Sequence, residues 1–284
     1  MKHFYVILSI MFILFGLSSF APDHFLMPQS FYLHKGDKLD LHLLTGDNFN
    51  KDGEVKYNSL NTASFILYEG SKGTDLTTMV KDSAAPVLNY TMDNSGLALI
   101  AMNTKPEIND VPREEFLSYL KDQGYEDLAD KAQSGNKLNF AEKTHYYLKT
   151  LVSVDDNGGK VYDKELKSDF EIILKQNPYK KNYGDDVTVL IKYKGEPLKR
   201  ANAYIYVKTE SGNVYPHKLG TDDSGQIYFT LTRDAIYMIR CVHIEPLKNG
   251  DADFETWSAT YTFAFSNQSI MPNTYREFGF GDKH

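Results

Sequence analysis

From about Asp169 to Phe265 the chain alternates short apolar runs with turn signals and shows no helical periodicity. "DFEIILKQN", "DDVTVLIKYKGEPL", "ANAYIYVKTE", "VYPHKLGTDDSGQIYFTL", "AIYMIRCVHIEP" and "WSATYTFAFS" follow one another in that stretch. Within "VTVLIKY" and "AYIYVK" the apolar residues recur at every second position, the period of a strand with one buried face. About seven short strands in roughly 95 residues, without a helix, predict a β-sandwich of two sheets packed face to face.

The first half is also mainly β. "SFYLHKGDKLDLHLLTGDNF" reads as two strands joined by the turn "KGDK", and "ASFILYEG", "APVLNYTMD" and "GLALIAMNT" read as further strands. One helical interruption stands out. "VPREEFLSYLKDQG" places Pro112 in a first turn, Glu114 and Glu115 beside the positive end of the helix dipole, and Gly124 as a stop. "YEDLADKAQSG" predicts a second short helix, and "AEKTHYYLKTLVSV" a return to the sheet as a strand, with a helical start as the alternative. The expected organisation is an N-terminal antiparallel β domain over 22–166 with helices near 112–134. A C-terminal immunoglobulin- or transthyretin-like sandwich over 167–265 and an irregular tail over 266–284 follow.

Residues 1–21 read as a signal peptide. Lys2 supplies a positive start, "FYVILSIMFILFGL" an uncharged core, and "SSFA" small residues for cleavage. The expected location is periplasmic or secreted, with no membrane span left after cleavage. The one Cys, Cys241, has no partner for an internal disulfide and sits in an apolar run, where a buried thiol is expected. With no such staple the core must hold the fold, and 20 Tyr and 17 Phe supply much of its area. A net charge of −7, with no basic stretch, argues against nucleic acid as a partner.

No nucleophile–base spacing, Cys-x-x-Cys pair or Gly-rich phosphate loop occurs, so the chain reads as non-catalytic. His24, in "FAPDHFLMP", is the sharpest chemical feature. A cut after Ala21 would make it the third residue, where imidazole, terminal amine and amides can form a square-planar site suited to Cu(II) or Ni(II). His243 follows Cys241 by two positions, so both face one side of a strand. Asp253 and Glu255, in the acid run after it, can act as carboxylate ligands or orient an imidazole. His34, His42, His145 and His217 read as surface residues.

Two resemblances add to this. "GEPLKRANAYI" and "TDDSGQIYFTL" resemble the transthyretin-like and carboxypeptidase-regulatory-like sandwich over about 186–245. The series "DHFLMP", "KGDKLDLHLLTGDNF", "FLSYLKDQGYEDL", "HYYLKTLVSV", that same pair and "CVHIEP…DADFETWSATYTF" resembles domain-of-unknown-function family 4198, over about 23–265. Members are exported bacterial proteins labelled NikM-like, components of nickel or cobalt uptake. The resemblance implies a divalent transition metal (Ni, Co, Cu or Zn) as the bound cofactor, and an envelope transporter or receptor as partner. It also implies one shared metal site of His24, His243, Asp253 and Glu255. The alternative is a structural or adhesive module that binds a polysaccharide or an envelope protein, and a hydrolase with carboxylates at the domain junction ranks last.

Overall fold

The computed structural model describes residues 22–248, 250–267 and 274–281. The signal peptide expected over 1–21 lies outside them, as does part of the tail.

Among the described residues the fold is mainly β, in three layers, and its sheets do not close into a barrel. The middle layer is a ten-stranded sheet. It holds β2 (Tyr32–Leu33), β5 (Thr62–Glu69), β6 (Lys72–Asp75), β8 (Gly96–Thr104), β9 (Glu107–Pro112) and β10 (Asn139–Val154). From the second half come β14 (Asn202–Lys208), β15 (Val214–Gly220), β17 (Ala235–Pro246) and β18 (Phe254–Phe265). An upper sheet of β1 (Asp23–Pro28), β3 (Lys38–Gly46), β4 (Gly53–Val55) and β7 (Leu88–Thr91) covers one face. A lower sheet of β11 (Phe170–Leu174), β12 (Asp186–Tyr193), β13 (Glu196–Pro197) and β16 (Gln226–Thr230) covers the other.

The middle sheet runs β15-β14-β17-β18-β10-β8-β5-β6. Its join is β10, which pairs in parallel with β18 and antiparallel with β8. Residues on either side of position 166 therefore share one sheet. Alternation within a strand tells which face is buried but not which strand lies alongside, so this join leaves no mark in the sequence. Being covered above and below also explains why β17 and β18 are buried over almost their whole length.

Two helices, α1 (Arg113–Gln123) and α2 (Glu126–Gln133), lie over the same face as the upper sheet. Phe116, Leu117 and Leu120 of α1 pack on Phe140, Val242, Ile244 and Phe254, each contributing about 1.5–3 kcal/mol of burial. Pro112 opens α1, and Gly124 closes it at φ +88°, its N–H on the Lys121 carbonyl. The tail differs from its reading as irregular. Residues 274–281 start with the short helix α3 (Thr274–Glu277) and insert Tyr275, Phe278 and Phe280 into the upper core. Three aromatics in six positions are too short a pattern to reveal a period.

Candidate functional site

β18 presents Thr260 and Thr262 on its upper face. Thr260 Oγ1 donates to the His24 carbonyl at 2.9 Å and Thr262 Oγ1 to the Leu26 carbonyl at 2.7 Å. These bonds satisfy backbone groups that β1 would otherwise bury unpaired, and they fix β1 across the middle sheet. Phe25, Leu26 and Met27 are fully buried there. Asp23, at the head of the strand, is thereby delivered to Arg240.

Arg240 points upward from β17, since Met238 two residues before it joins the upper core. Its Nε donates to Asp23 Oδ1, and its Nη1 to Gln123 Oε1 at 2.8 Å. Both charged residues are more than nine-tenths buried, at 7% exposure for Asp23 and 5% for Arg240. Burial pushes the Asp23 carboxyl up, while the adjacent guanidinium draws it down. Of the five N–H groups of a guanidinium these bonds use two, and the other three meet no acceptor among the described residues. Asp23 Oδ2 likewise meets no donor among them.

The pair lines a cavity of about 490 Å³ with Gln123 and Tyr119 of α1, Tyr204 and Tyr206 of β14, and Asp47 and Asn48. Lys121, Asp122 and Lys218 complete its lining. The walls are fixed by local structure. Tyr204 Oη donates to the Asp122 carbonyl at 2.7 Å, and Asn202 Nδ2 to the Gln123 carbonyl at 2.8 Å, so β14 satisfies the open end of α1. Gly124 permits that approach, because a Cβ there would collide with Asn202 Nδ2. Tyr204 and Tyr206 stack with centroids 6.1 Å apart and an interplanar angle of 17°. The turn carrying Asp47 requires Gly46, whose Cβ would run into the Asn50 carbonyl. Burial first, then the charges of Asp23 and Asp52, raises the Asp47 carboxyl against the pull of Arg240.

The four expected metal ligands are not gathered in one place. His24 lies on the upper side, its ring 4.0 Å from that of Tyr146 and its Nδ1 3.2 Å from the Pro22 carbonyl. Burial lowers its pKa to about 4. His243 lies on the lower side, with Nε2 3.1 Å from Glu245 Oε1, Nδ1 3.2 Å from Tyr125 Oη and its ring 4.1 Å from that of Tyr193. Glu255 shares this lower side and bonds His145 Nε2 at 2.8 Å. Asp253 is held by Lys137 and by the Ala141 N–H at 3.1 Å. Among the described residues no group of three or more His, Cys, Asp or Glu is placed to hold a metal ion. Cys241 is fully buried, as its apolar run led us to expect, and burial pushes its thiol up to about 12.

His145 is no simple surface residue. It stacks on Trp257 at 5.6 Å and 3°, with His243 at 5.9 Å from the same ring. The strand register sets His243, Trp257 and His145 in one row and Glu245, Glu255 and Lys143 in the next. Each imidazole in this array already has a carboxylate partner.

Sequence reading missed Asp23, Arg240 and the tyrosines. The signals were present: Arg240 is the one charge in "AIYMIRCVHI", and a charge inside a buried strand demands a partner. Nothing in one sequence says that the partner lies 217 positions away.

The fold and site define a three-layer β protein with a polar cavity between its upper sheet and its helical pair. More narrowly, the chain belongs to the family described as domain of unknown function DUF4198, which matches residues 19–245. No protein of curated function matches it. Solved structures that match include a tetra-tandem repeat in the extending region of a large adhesion protein. It is 11% identical, covering 87% of this chain and 50% of that one, at a TM-score of 0.22. The D0-D1 domain of intimin also matches at 11% identity, covering 86% of this chain and 98% of that one, at 0.21. Superpositions this loose say nothing about function. Among the described residues no helix is long and apolar enough to cross a membrane.

Proposed function

We propose that the mature chain is an exported binding protein that holds a small polar molecule against the Asp23–Arg240 pair. The observation that carries this reading is the open hydrogen-bond capacity of two charged side chains, both over nine-tenths buried, on the wall of one cavity. Removing an ion from water costs several kcal/mol even after relaxation, and one mutual hydrogen bond offsets only part of it. Groups of this kind at a cavity of some hundreds of Å³ are the usual makings of a ligand site. Export is part of the proposal and is supported by the apolar run and small-residue end of 4–21. Nickel or cobalt uptake, implied by the NikM-like resemblance, is a competing choice of ligand.

A thermal-shift screen followed by calorimetry tests it, with amino acids, dicarboxylates, neutral sugars and the divalent ions of Ni, Co, Cu and Zn. Arg240→Lys keeps the charge and removes the forked donor geometry. The expected result is binding by one organic class, weakened about tenfold or more by Arg240→Lys, a loss of about 1.4 kcal/mol. Binding of a divalent ion alone, unaffected by Arg240→Lys, would replace this reading with the metal one. Binding by none of them would remove it.

A further inference from the structure

We infer that the ligand of this cavity is a neutral polyhydroxylated ring, a mono- or disaccharide in its pyranose form. This rests on the cavity being a binding site and adds the class of molecule it takes.

Charge comes first. The lining carries three acids, Asp23, Asp47 and Asp122, and three bases, Lys121, Lys218 and Arg240. An anion finds Asp23 beside the very guanidinium that attracts it, and a cation finds Arg240 beside the attracting carboxylate. In a half-enclosed site such like-charge proximity is poorly screened. A neutral ligand meets neither penalty.

Hydrogen-bond chemistry narrows the class. Arg240 offers only donors and Asp23 Oδ2 only acceptance, side by side. A hydroxyl can accept from one and donate to the other through a single oxygen. Neighbouring hydroxyls on a ring repeat this along a rigid edge, so that little ordering entropy is lost on binding. Gln123 supplies an amide beside the pair, with Oε1 committed to Arg240.

Shape completes the match. A pyranose has polar edges and an apolar C–H face. The stacked Tyr204 and Tyr206 rings form an aromatic wall beside the polar floor, held in place by the Tyr204–Asp122 bond. A volume near 490 Å³ lies within the range of about 300–1,000 Å³ common to small-molecule sites. A free amino acid could set its carboxylate on Arg240 and its ammonium on Asp23, but would leave the wall and much of that volume unused.

Calorimetry with matched ligands tests the class. The probes are the methyl pyranosides of glucose, galactose and mannose, the uronate and 2-amino counterpart of each, and glutamine and glutamate. At least one neutral sugar is expected to bind about tenfold or more tighter than its uronate and its amine. Asp23→Asn should narrow the gap to the uronate by a similar factor. Tyr204→Leu, which removes the aromatic face and leaves both charged side chains in the sequence, should weaken sugar binding about tenfold, and Tyr204→Phe, which keeps the ring that Arg240 approaches, should weaken it less. A uronate or amino sugar binding tighter than its neutral parent, or an amino acid binding where no sugar does, overturns the saccharide assignment and leaves the cavity reading standing. Silence from every probe here and in the wider screen overturns both.

Discussion

β17 carries two polar constellations that face opposite ways. Above it, Arg240 and Asp23 form a buried pair with donors and an acceptor left open. Below it, His243 with Glu245, and His145 with Glu255 two strands away, form pairs in which each ring has a partner. The lower groups set imidazoles beside carboxylates, the residue types of a transition-metal site, whereas the upper pair sets a guanidinium on a carboxylate. What separates the two is remaining capacity. Groups that satisfy one another have little left for a ligand, whereas those that end half-satisfied on a cavity do. Residue type alone points to the lower side, and geometry to the upper.

The comparison breaks most easily at the buried pair. Asp23→Ala leaves Arg240 buried and uncompensated, and the expected loss is about 3–5 kcal/mol in urea unfolding. Asp23→Leu with Arg240→Met should recover much of it, because an apolar pair incurs no such desolvation. A loss below about 1 kcal/mol for Asp23→Ala would make the pair no more than a surface contact.

A pH series comes next. His24 titrates near 4 in the fold because burial disfavours its charged form, against 6.5 when unhindered. Between these values the unfolded chain binds the extra proton. The His24 contribution is therefore complete above 6.5 and is lost as pH falls toward 4. Its slope reaches up to about 1.4 kcal/mol per pH unit. His24→Leu should flatten the profile in that window, and an unchanged profile would show that the ring is hydrated.

Smaller effects are expected below the sheet. His145 and Glu255 keep 16% and 20% of their side-chain surface, more than Arg240 and Asp23 keep, and Glu255→Gln still offers His145 a carbonyl acceptor, so it should cost about 0.5–1.5 kcal/mol. His243→Gln should change stability least of all. It should still alter the pH dependence of Trp257 fluorescence, since an imidazole ring lies on either side of that indole.

Much of the architecture was legible. Pro112 and Gly124 framed a helix that formed where they placed it, and the alternation of "VTVLIKY" became β12. The parallel join of β10 to β18 was not legible, because pairing partners leave no periodic trace. Nor was the tail, where Phe278 and Phe280 bury themselves singly. For the site, the sequence favours His24, because imidazole is the commonest metal ligand among side chains. The residue beside it, Asp23, reaches the cavity, but only the fold brings Arg240 to it.

The most direct test asks which side of the sheet a ligand touches. Trp257 is the only Trp, and it lies on the lower side. With 5-fluorotryptophan and 3-fluorotyrosine incorporated, fluorine NMR can follow both sides in one titration. Tyr204→Phe and Tyr206→Phe assign the two wall resonances. Adding the best-bound methyl pyranoside should shift the Tyr204 and Tyr206 signals and leave Trp257 in place, while lowering the pH below 6.5, the side to which burial moves His243, should move Trp257. A sugar-induced shift of Trp257, with the Tyr204 and Tyr206 signals unmoved, would put the site on the imidazole side and contradict the assignment of the Asp23–Arg240 cavity.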